Sequence, residues 1–234
     1  MIDIHCHLLP SVDDGPKSWE DSLQMCKKAV ADGVTHIVAT PHCNNRYVYD
    51  RQASAAKLDE LRSRFLRCKF SLGCELAIST STLAEAQSRP SLYTIENTQY
   101  LLVEINPLDL PEHTLNALSQ LTSAGLLPII AHPERNPLLQ RRIDLVVEWR
   151  SFGCLTAVTA GSIMGFWGPR CRKASEALLR RNLVDVIVSD AHDPDRRPPI
   201  LSASRNEAAK ILGKERAARL VFENPARILR SQSL

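Results

Sequence analysis

Residues 1–14 read MIDIHCHLLPSVDD, in which a short apolar strand pattern runs directly into histidines and then aspartates. His5 and His7 are two positions apart, so their side chains point the same way on an extended backbone. Near the other end of the chain, residues 186–193 read VIVSDAHD and place an aspartate and a histidine at the same spacing after an apolar run. Polar groups that follow buried strands in this way indicate a functional site built where strands end.

Short apolar runs alternate with amphipathic helical patterns along the rest of the chain. Most of these runs are apolar on both faces, which is typical of buried parallel strands, and the alternation predicts a parallel sheet, open or closed. We predict strands at 2–4, 35–40, 70–73, 100–105, 127–131, 155–159 and 184–189. We predict helices at 18–32, 51–67, 81–87, 112–124, 141–152 and 172–182, with further helix from 202 to 229.

The candidate functional residues share one position, the C-terminal end of a predicted strand or the loop that follows it. Because these ends meet at one face of a parallel α/β fold, the side chains should converge although they are far apart in sequence. An open, doubly wound sheet would spread them along an edge, whereas a barrel would gather them in a ring. We therefore predict an α/β fold, a TIM-like barrel with seven βα units, as one domain over residues 1–234. The candidate metal ligands are His5, His7, Asp14, His42, Glu75, Glu104, His132, Asp190 and His192.

Neutral imidazole and carboxylate are the ligands expected for Zn, Mn, Fe or Ni. A single histidine after a strand is more often a loop residue than a ligand, and the H-x-H pattern alone is a weak motif. Five such histidines together with four acidic residues make a metal centre the better interpretation. This set exceeds what one ion needs, so we predict two or three divalent ions that share a bridging carboxylate.

The composition is that of a globular protein, with 44% hydrophobic and 24% charged residues in a chain of 234. A formal net charge of +3 is too small to indicate nucleic-acid binding. The seven cysteines are an odd number without a C-x-x-C pair, which favours reduced thiols over a disulfide framework. The N-terminal residues lack a signal-peptide pattern, and the apolar runs are far shorter than a membrane span. We expect a cytoplasmic protein without membrane insertion, whose oligomeric state the sequence does not specify.

At the candidate ligands, the sequence resembles the polymerase and histidinol phosphatase (PHP) superfamily of metallohydrolases. Within this superfamily it resembles the bacterial tyrosine phosphatases of capsule and exopolysaccharide loci. H-x-H and D-x-H are shared across the superfamily, whereas DDGP, AHPERN and the RPP after D-x-H point to the phosphatase subgroup. The similarity runs from residue 1 to about residue 199, and the ENPARIL tail is also similar. The matching segments are MIDIHCHLLPSVDDGPKSWEDS, ATPHCNN, LGCEL, YLLVEI, PIIAHPERN, TAGSIMGFWG and VIVSDAHDPDRRPP.

The resemblance implies a distorted seven-stranded barrel with three metal positions. The family usually uses Mn, with Fe or Zn in relatives, and the ligand types do not choose among these metals. By this resemblance, one ion would be held by His5, His7, Glu75 and Asp190. Glu75 would bridge to a second ion, completed by Glu104 and His132, and the third would be held by Asp14, His42 and His192.

The resemblance also implies that Arg135 and Arg197 contact phosphate, with Arg196 as a neighbouring alternative. Guanidinium groups hold phosphoryl oxygens through forked hydrogen bonds, and a water shared by two ions would act as the nucleophile. His42 or His192 is a candidate to protonate the leaving oxygen. A metal ligand is a poor acid, however, and a phenolate leaves easily, so this role stays open.

Two neighbouring features are predicted to have no catalytic role. Cysteine-dependent tyrosine phosphatases place an arginine six positions after the nucleophile, and none of the seven cysteines has one. We therefore predict that Cys6 and Cys43 are bystanders. Phe166 and Trp167, in the GFWG segment after Ser162, either line the substrate entrance or pack locally, and we favour local packing.

The predicted function is removal of phosphate from the phosphotyrosine tail of an autophosphorylated bacterial tyrosine kinase that regulates capsular or exopolysaccharide synthesis. Most predicted loops are short, except 41–50 and 160–170, and short loops leave an open site that a peptide can enter. Basic residues near the two longer loops favour an acidic tail; they are Arg46, Arg170, Arg172 and Lys173.

Three alternatives remain at this point. They are a small-molecule phosphatase such as histidinol-phosphate phosphatase on the same metal centre, a nuclease, and a non-catalytic metal-binding regulator. The weak positive charge argues against a nuclease, and the complete ligand set argues against a regulator with a decayed site. The metal ligands themselves do not distinguish a protein substrate from a small one.

Overall fold

The computed structural model describes residues 1–106 and 108–234, over which strands and helices alternate as predicted for an α/β fold. The strands are β1 (Ile2–Cys6), β2 (His36–Ala39), β3 (His42–Cys43), β4 (Lys69–Leu72), β5 (Glu75–Ala77), β6 (Tyr100–Glu104), β7 (Leu127–Ala131), β8 (Leu155–Thr159) and β9 (Val186–Val188). The helices are α1 (Trp19–Ala31), α2 (Arg51–Arg64), α3 (Thr80–Ser88), α4 (Pro111–Ser123), α5 (Pro137–Arg141), α6 (Ile143–Ser151), α7 (Ala160–Ile163), α8 (Gly168–Arg180), α9 (Ser202–Leu212), α10 (Lys214–Arg219) and α11 (Glu223–Leu229).

The strands pair in parallel, in the orders β1-β2-β4 and β3-β5-β6-β7-β8-β9. Strand β3 continues the direction of β2, and β5 continues β4, after short interruptions. Backbone hydrogen bonds bridge these interruptions, from Gly73 N to Ala39 O at 2.9 Å and from Glu75 N to Pro41 O at 3.0 Å. The two sheets are therefore one layer of strands with a break in two of them.

The first and last strands lie side by side. Asp190 N donates to His5 O at 2.9 Å, and His7 N donates to Ala191 O at 2.8 Å. A single bridge, between Cys6 and Ala191, joins these two edges of the strand layer. The α/β fold is confirmed. The irregular contact between the first and last strands agrees with a distorted, barrel-like arrangement of the strands.

A bulge in β1 aims the first histidines at the interior. The register between β1 and β2 shifts between Asp3 and Cys6, so β1 holds one extra residue there. Ile4 packs in the apolar cluster that contains Leu102, and the next residue, His5, reaches the same side of the strand layer. Without the bulge, consecutive side chains would point to opposite faces.

Apolar side chains bury both faces of the central strands. In β6, Leu101 and Val103 belong to the larger apolar cluster, whereas Tyr100 and Leu102 belong to a second cluster shared with β7 and β9. This alternation explains why the strand sequences are apolar throughout. Within residues 1–106 and 108–234, no helix is both long enough and apolar enough to cross a membrane.

The boundaries differ from the prediction where polar residues and turns intervene. The tail predicted as further helix from 202 to 229 consists of three helices, and the first ends at Gly213, whose φ of 83° is incompatible with a right-handed helix. The helix predicted at 141–152 is divided at Arg142, which has φ −124° and ψ 59°. Helix α8 begins at Gly168 rather than at Arg172.

Candidate metal centre

The predicted ligands do converge, although they come from six different strands or the loops that follow them. His5 lies in β1, His42 begins β3, Glu75 begins β5 and Glu104 ends β6. His7, Asp14, His132, Asp190 and His192 follow β1, β7 or β9. Their side chains form three groups, which overlap because Glu75 and His7 each belong to two of them.

The first group contains His5, His7 and Glu75, whose ligand atoms all lie within 4.8 Å of one another, together with Asp190, which lies beside the two histidines. His5 Nε2 lies 3.2 Å from His7 Nε2 and 3.4 Å from both Glu75 Oε2 and Asp190 Oδ1. His7 Nε2 lies 3.3 Å from the same Glu75 oxygen and 3.5 Å from the Asp190 oxygen. Ligands of a tetrahedral ion, each at roughly 2.1 Å from it, are separated by about 3.4 Å. The spacing of this group therefore suits one small divalent ion.

The second group uses the other oxygen of Glu75. His132 Nε2 lies 2.7 Å from Glu75 Oε1 and 3.9 Å from Glu104 Oε1. Glu75 thus turns one carboxylate oxygen to each group, which is the arrangement of a bridging ligand. Glu104 is the more exposed partner, so this group lies nearer to solvent than the first.

The third group is centred on Asp14. Its Oδ1 lies 3.3 Å from both His42 Nε2 and His192 Nε2, and His7 has a ligand atom within 4.8 Å of the others. Hydrogen bonds from His192 and His42 lower the pKa of Asp14 far below its usual range. The carboxylate is therefore ionised at any pH where a metal ion would bind.

Strained backbone turns two of the side chains into the cluster. His132 has φ 34° and Asp190 has φ 51°, both in the left-handed region that favours glycine. Each residue comes shortly after a strand, β7 or β9, and its side chain meets Glu75 or His5. Strain of this kind persists where the surrounding structure enforces it, and it is common at functional sites.

The cluster contains buried polar atoms that lack hydrogen bonds. Glu75 Oε2 and His42 Nδ1 are 2.9 Å apart but are not in hydrogen-bonding geometry, and neither atom makes a hydrogen bond to another described residue. His5 Nδ1 is likewise without a partner within residues 1–106 and 108–234. Burial would raise the pKa of Glu75, but the imidazoles of His5, His132 and His42 hold it well below its usual range. Buried, unpaired donors and acceptors are costly, and a cation would satisfy Glu75.

Two arginines meet the cluster at one carboxylate. Arg135 donates to Asp190 Oδ2, and Arg197 Nη2 donates to the same oxygen at 2.7 Å and to Asp190 O at 3.0 Å. The exposed Arg196 makes no ion pair in the described part of the chain. Of the neighbouring residues Arg196 and Arg197, Arg197 is therefore the one that is directed at the cluster.

Sequence reasoning missed Asp13, the first aspartate of DDGP. Its Oδ2 lies 2.6 Å from His7 Nδ1 and accepts a hydrogen bond from His42 N at 3.0 Å, while Oδ1 accepts from Gly15 N at 2.9 Å. A Cβ at residue 15 would lie 2.8 Å from His7 O, so only glycine permits this close approach. A carboxylate behind an imidazole fixes which ring nitrogen faces the metal, and the paired aspartates of the motif were the available signal.

The neighbouring cysteines have the character of core residues. Cys6 and Cys43 are buried, and burial raises the pKa of Cys43 to about 11 and that of Cys6 well above its usual value. The thiolate is the nucleophilic form, so both side chains are poor nucleophiles near neutral pH. This agrees with their predicted role as bystanders.

The aromatic pair after α7 packs locally beside Gly161 and also lines a cavity next to the cluster. Phe166 exposes 78% of its surface. The Trp167 ring centroid lies 4.5 Å from Arg135 Cζ and 5.1 Å from Arg197 Cζ, so this ring packs on the guanidinium groups beside the cluster.

Comparisons with known proteins show the family of the chain and agree with its fold. Residues 1–230 match the family model for capsular polysaccharide synthesis proteins, CpsB/CapC. The chain is 33% identical over 244 aligned positions to the tyrosine-protein phosphatase YwqE of Bacillus subtilis strain 168, covering 100% of this chain and 93% of that protein.

Two solved structures resemble the chain to different degrees. One, from a study of YwqE of Bacillus subtilis and CpsB of Streptococcus pneumoniae as metal-dependent tyrosine phosphatases, superposes with a TM-score of 0.89 and 30% identity, covering 100% of this chain and 96% of the other. The histidinol phosphate phosphatase of Lactococcus lactis gives a TM-score of 0.62 at 12% identity, covering 93% and 94%. The second likeness shows a shared fold alone.

Proposed function

The chain belongs to the CpsB/CapC family of capsular polysaccharide synthesis proteins, and on that premise we propose that it is a metal-dependent protein-tyrosine phosphatase. The observation that carries the proposal is the meeting of a histidine–carboxylate cluster and two arginines at Asp190. A site of this composition can bind a phosphoryl group and neutralise the charge that develops on it.

The residues fit a set of two or three divalent ions, with Mn first and Fe or Zn as alternatives. The close spacing of His5, His7 and Glu75 supports this assignment, as do the buried Glu75 and His42 atoms that make no hydrogen bond in the described residues. Bound ions would supply Lewis acidity to the phosphoryl oxygens and lower the pKa of water. The proposed holders are His5, His7, Glu75 and Asp190 for one ion, Glu75, Glu104 and His132 for another, and Asp14, His42 and His192 for a third.

Phosphate binding and proton donation to the leaving group are assigned to side chains of the protein itself. Arg135 and Arg197 are held in place by Asp190 and by the Trp167 ring, and each guanidinium has further N–H groups free to bind phosphoryl oxygens. His42 and His192 lie beside Asp14 at the more open side of the cluster, where a leaving oxygen would depart. A phenolate, with a pKa of about 10, needs little help from an acid, so their proton-donor role is secondary.

We place the substrate in the phosphotyrosine tail of a bacterial tyrosine kinase that regulates capsular or exopolysaccharide synthesis, in the cytoplasm. Family membership supports the capsule connection, and the half-exposed Asp14 supports access by a protein segment. Tyr47, stacked at 5.8 Å on His42, carries Arg46 over its ring at 5.2 Å, which adds positive charge at this edge. No specific observation favours histidinol phosphate as the substrate.

The test is a substrate comparison on metal-stripped and Mn-restored protein. We expect no turnover after stripping and recovery with Mn. The restored enzyme should prefer a phosphotyrosine kinase tail over phosphoserine peptide and histidinol phosphate in kcat/KM. A preference of about tenfold or more for either competitor would overturn the substrate, and full activity in the stripped protein would overturn the metal dependence.

A further inference from the structure

A cavity of about 440 Å³ opens beside the metal centre, between the turn after α7 and the segment after β9. Asp190, Arg196 and Arg197 form its charged end, and Ser189 lies beside them. Its other walls are aromatic or aliphatic, and they are formed mainly by Met164, Phe166, Trp167, Pro198, Ile200 and Ala203. Cavities of this size bind small organic groups, and a wall of this composition suits an apolar one.

The cavity changes from charged to apolar over a short distance. Arg135 and Arg197 lie against the Trp167 ring, so the guanidinium pair separates the metal ligands from the aromatic wall. A ligand that matches this gradient has an anionic head joined directly to an apolar body. A phosphate monoester with a hydrophobic alcohol has this character.

The aromatic wall is built into the fold rather than laid on its surface. Glu134 accepts hydrogen bonds from Thr159 N at 3.0 Å and from Thr159 Oγ1 at 2.9 Å, which fixes the end of β8. Thr159 in turn caps α7 by accepting from Ser162 N at 3.3 Å. A Cβ at Gly161 would lie 2.9 Å from Trp167 Nε1, so the glycine lets the indole lie against the helix. Trp167 is thereby held in one position before a ligand arrives.

We propose that this cavity binds the aromatic ring of an aryl phosphate monoester while Arg197 and the metal cluster hold its phosphate. The inference rests on the proposed function and adds the subsite for the aromatic ring, with Trp167 as the residue that determines specificity there. In phosphotyrosine, the ring separates the phosphate from the polar backbone and fills the apolar space. In phosphoserine, the peptide backbone itself would enter that space and lose its hydrogen bonds to water. The cavity therefore selects aryl over alkyl phosphates.

The test is calorimetric titration of the Mn-loaded full chain with phenylphosphonate and with methylphosphonate, neither of which is hydrolysed. The measured quantity is the ratio of the two Kd values, because a general loss of phosphonate binding cancels in it. We expect the wild type to prefer phenylphosphonate by about tenfold, and Trp167→Ala to reduce the preference to about twofold or less. Trp167→Phe should restore part of it.

The matched control is Phe152→Ala, which removes an exposed aromatic ring that precedes β8, whereas the cavity follows the C-terminal end of that strand. It should keep the wild-type ratio. Equal Kd values for the two phosphonates in the wild type, failure of phenylphosphonate to bind, or an unchanged preference in Trp167→Ala would each overturn the aryl site. If the protein prefers phenylphosphonate but hydrolyses no phosphotyrosine peptide, the proposed function is wrong, whereas the aryl site is still supported.

Discussion

His7 Nδ1 lies 2.6 Å from Asp13 Oδ2, so a buried carboxylate holds the ring of one candidate ligand from behind. The contact directs His7 Nε2 towards Glu75 and Asp190. Burial opposes ionisation of Asp13, but the hydrogen bond with His7 lowers its pKa below the usual value. The carboxylate is therefore charged and orients the imidazole.

Asp13→Asn should weaken Mn binding by about 10- to 100-fold, because the amide keeps the shape of the side chain but loses its charge. Titration of metal-free protein with Mn measures the effect. Asp59→Asn, at an exposed position on α2, is the control and should bind Mn like the wild type. Unchanged affinity in Asp13→Asn would remove this residue from the metal site.

Arg135→Ala and Arg197→Ala should each lower kcat/KM by roughly tenfold to thousandfold, because each removes a charge-assisted contact to the phosphoryl group. The rates are measured at saturating Mn with bound metal quantified in parallel, since both arginines also contact Asp190. Arg67→Ala is the control, because its side chain is exposed, makes no ion pair in the described residues and lies outside the cavity that Arg196 and Arg197 line. Wild-type rates in both variants, or an equal loss in Arg67→Ala, would contradict the assignment.

Thiol alkylation should leave activity intact, whereas a chelator should abolish it. Burial raises the pKa of Cys43 to about 11 and the pKa of Cys6 well above its usual value, so at pH 7 almost none of either thiol is in the reactive thiolate form. Activity after iodoacetamide, compared with activity after EDTA, measures both effects. Loss of turnover with iodoacetamide but not with EDTA would refute the metal mechanism in favour of a cysteine nucleophile.

Asp185→Ala should destabilise the fold by roughly 2–4 kcal/mol, because Asp185 anchors the junction of β8 and β9. Its carboxylate accepts from Thr156 N at 2.8 Å and from Arg150 Nη2 at 3.1 Å, and the aspartate is buried. Urea unfolding measures the change in free energy. The control is Asp144→Ala, which breaks the exposed ion pair with Arg142 and should change the free energy of unfolding little. Equal losses of stability in the two variants would show that burial does not determine how much an ion pair contributes.

The sequence predicted the long apolar strands better than the short polar ones. Strands at 127–131 and 155–159 were predicted to the residue, because continuous apolar runs bounded by turns carry a strong signal. Strands β3 and β5 were missed as separate elements, since two or three residues that include a ligand show no periodicity. The bulge at Ile4–His5 was also missed, because it depends on pairing with β2 and not on local sequence.

The candidate site was largely predictable because strand ends in a parallel fold share one face. All the proposed ligands lie in the three groups, although their roles stay predictions, as does the single-domain organisation of residues 1–234. Asp13 and the wall containing Trp167 were not predicted, since each acts through contacts that only the folded chain creates. The choice of Arg197 over Arg196 came from the resemblance, and in the structure Arg197 is the one that contacts Asp190.

The central claim is that Glu75 joins two groups of ligands around divalent ions, and anomalous diffraction from crystals grown with Mn tests it most directly. We predict one peak among His5, His7, Glu75 and Asp190 and a second beside Glu75, Glu104 and His132. Glu75→Gln should weaken both peaks together, because both groups use its carboxylate. Absence of anomalous density at these residues in the wild type, with Mn in excess, would contradict the account.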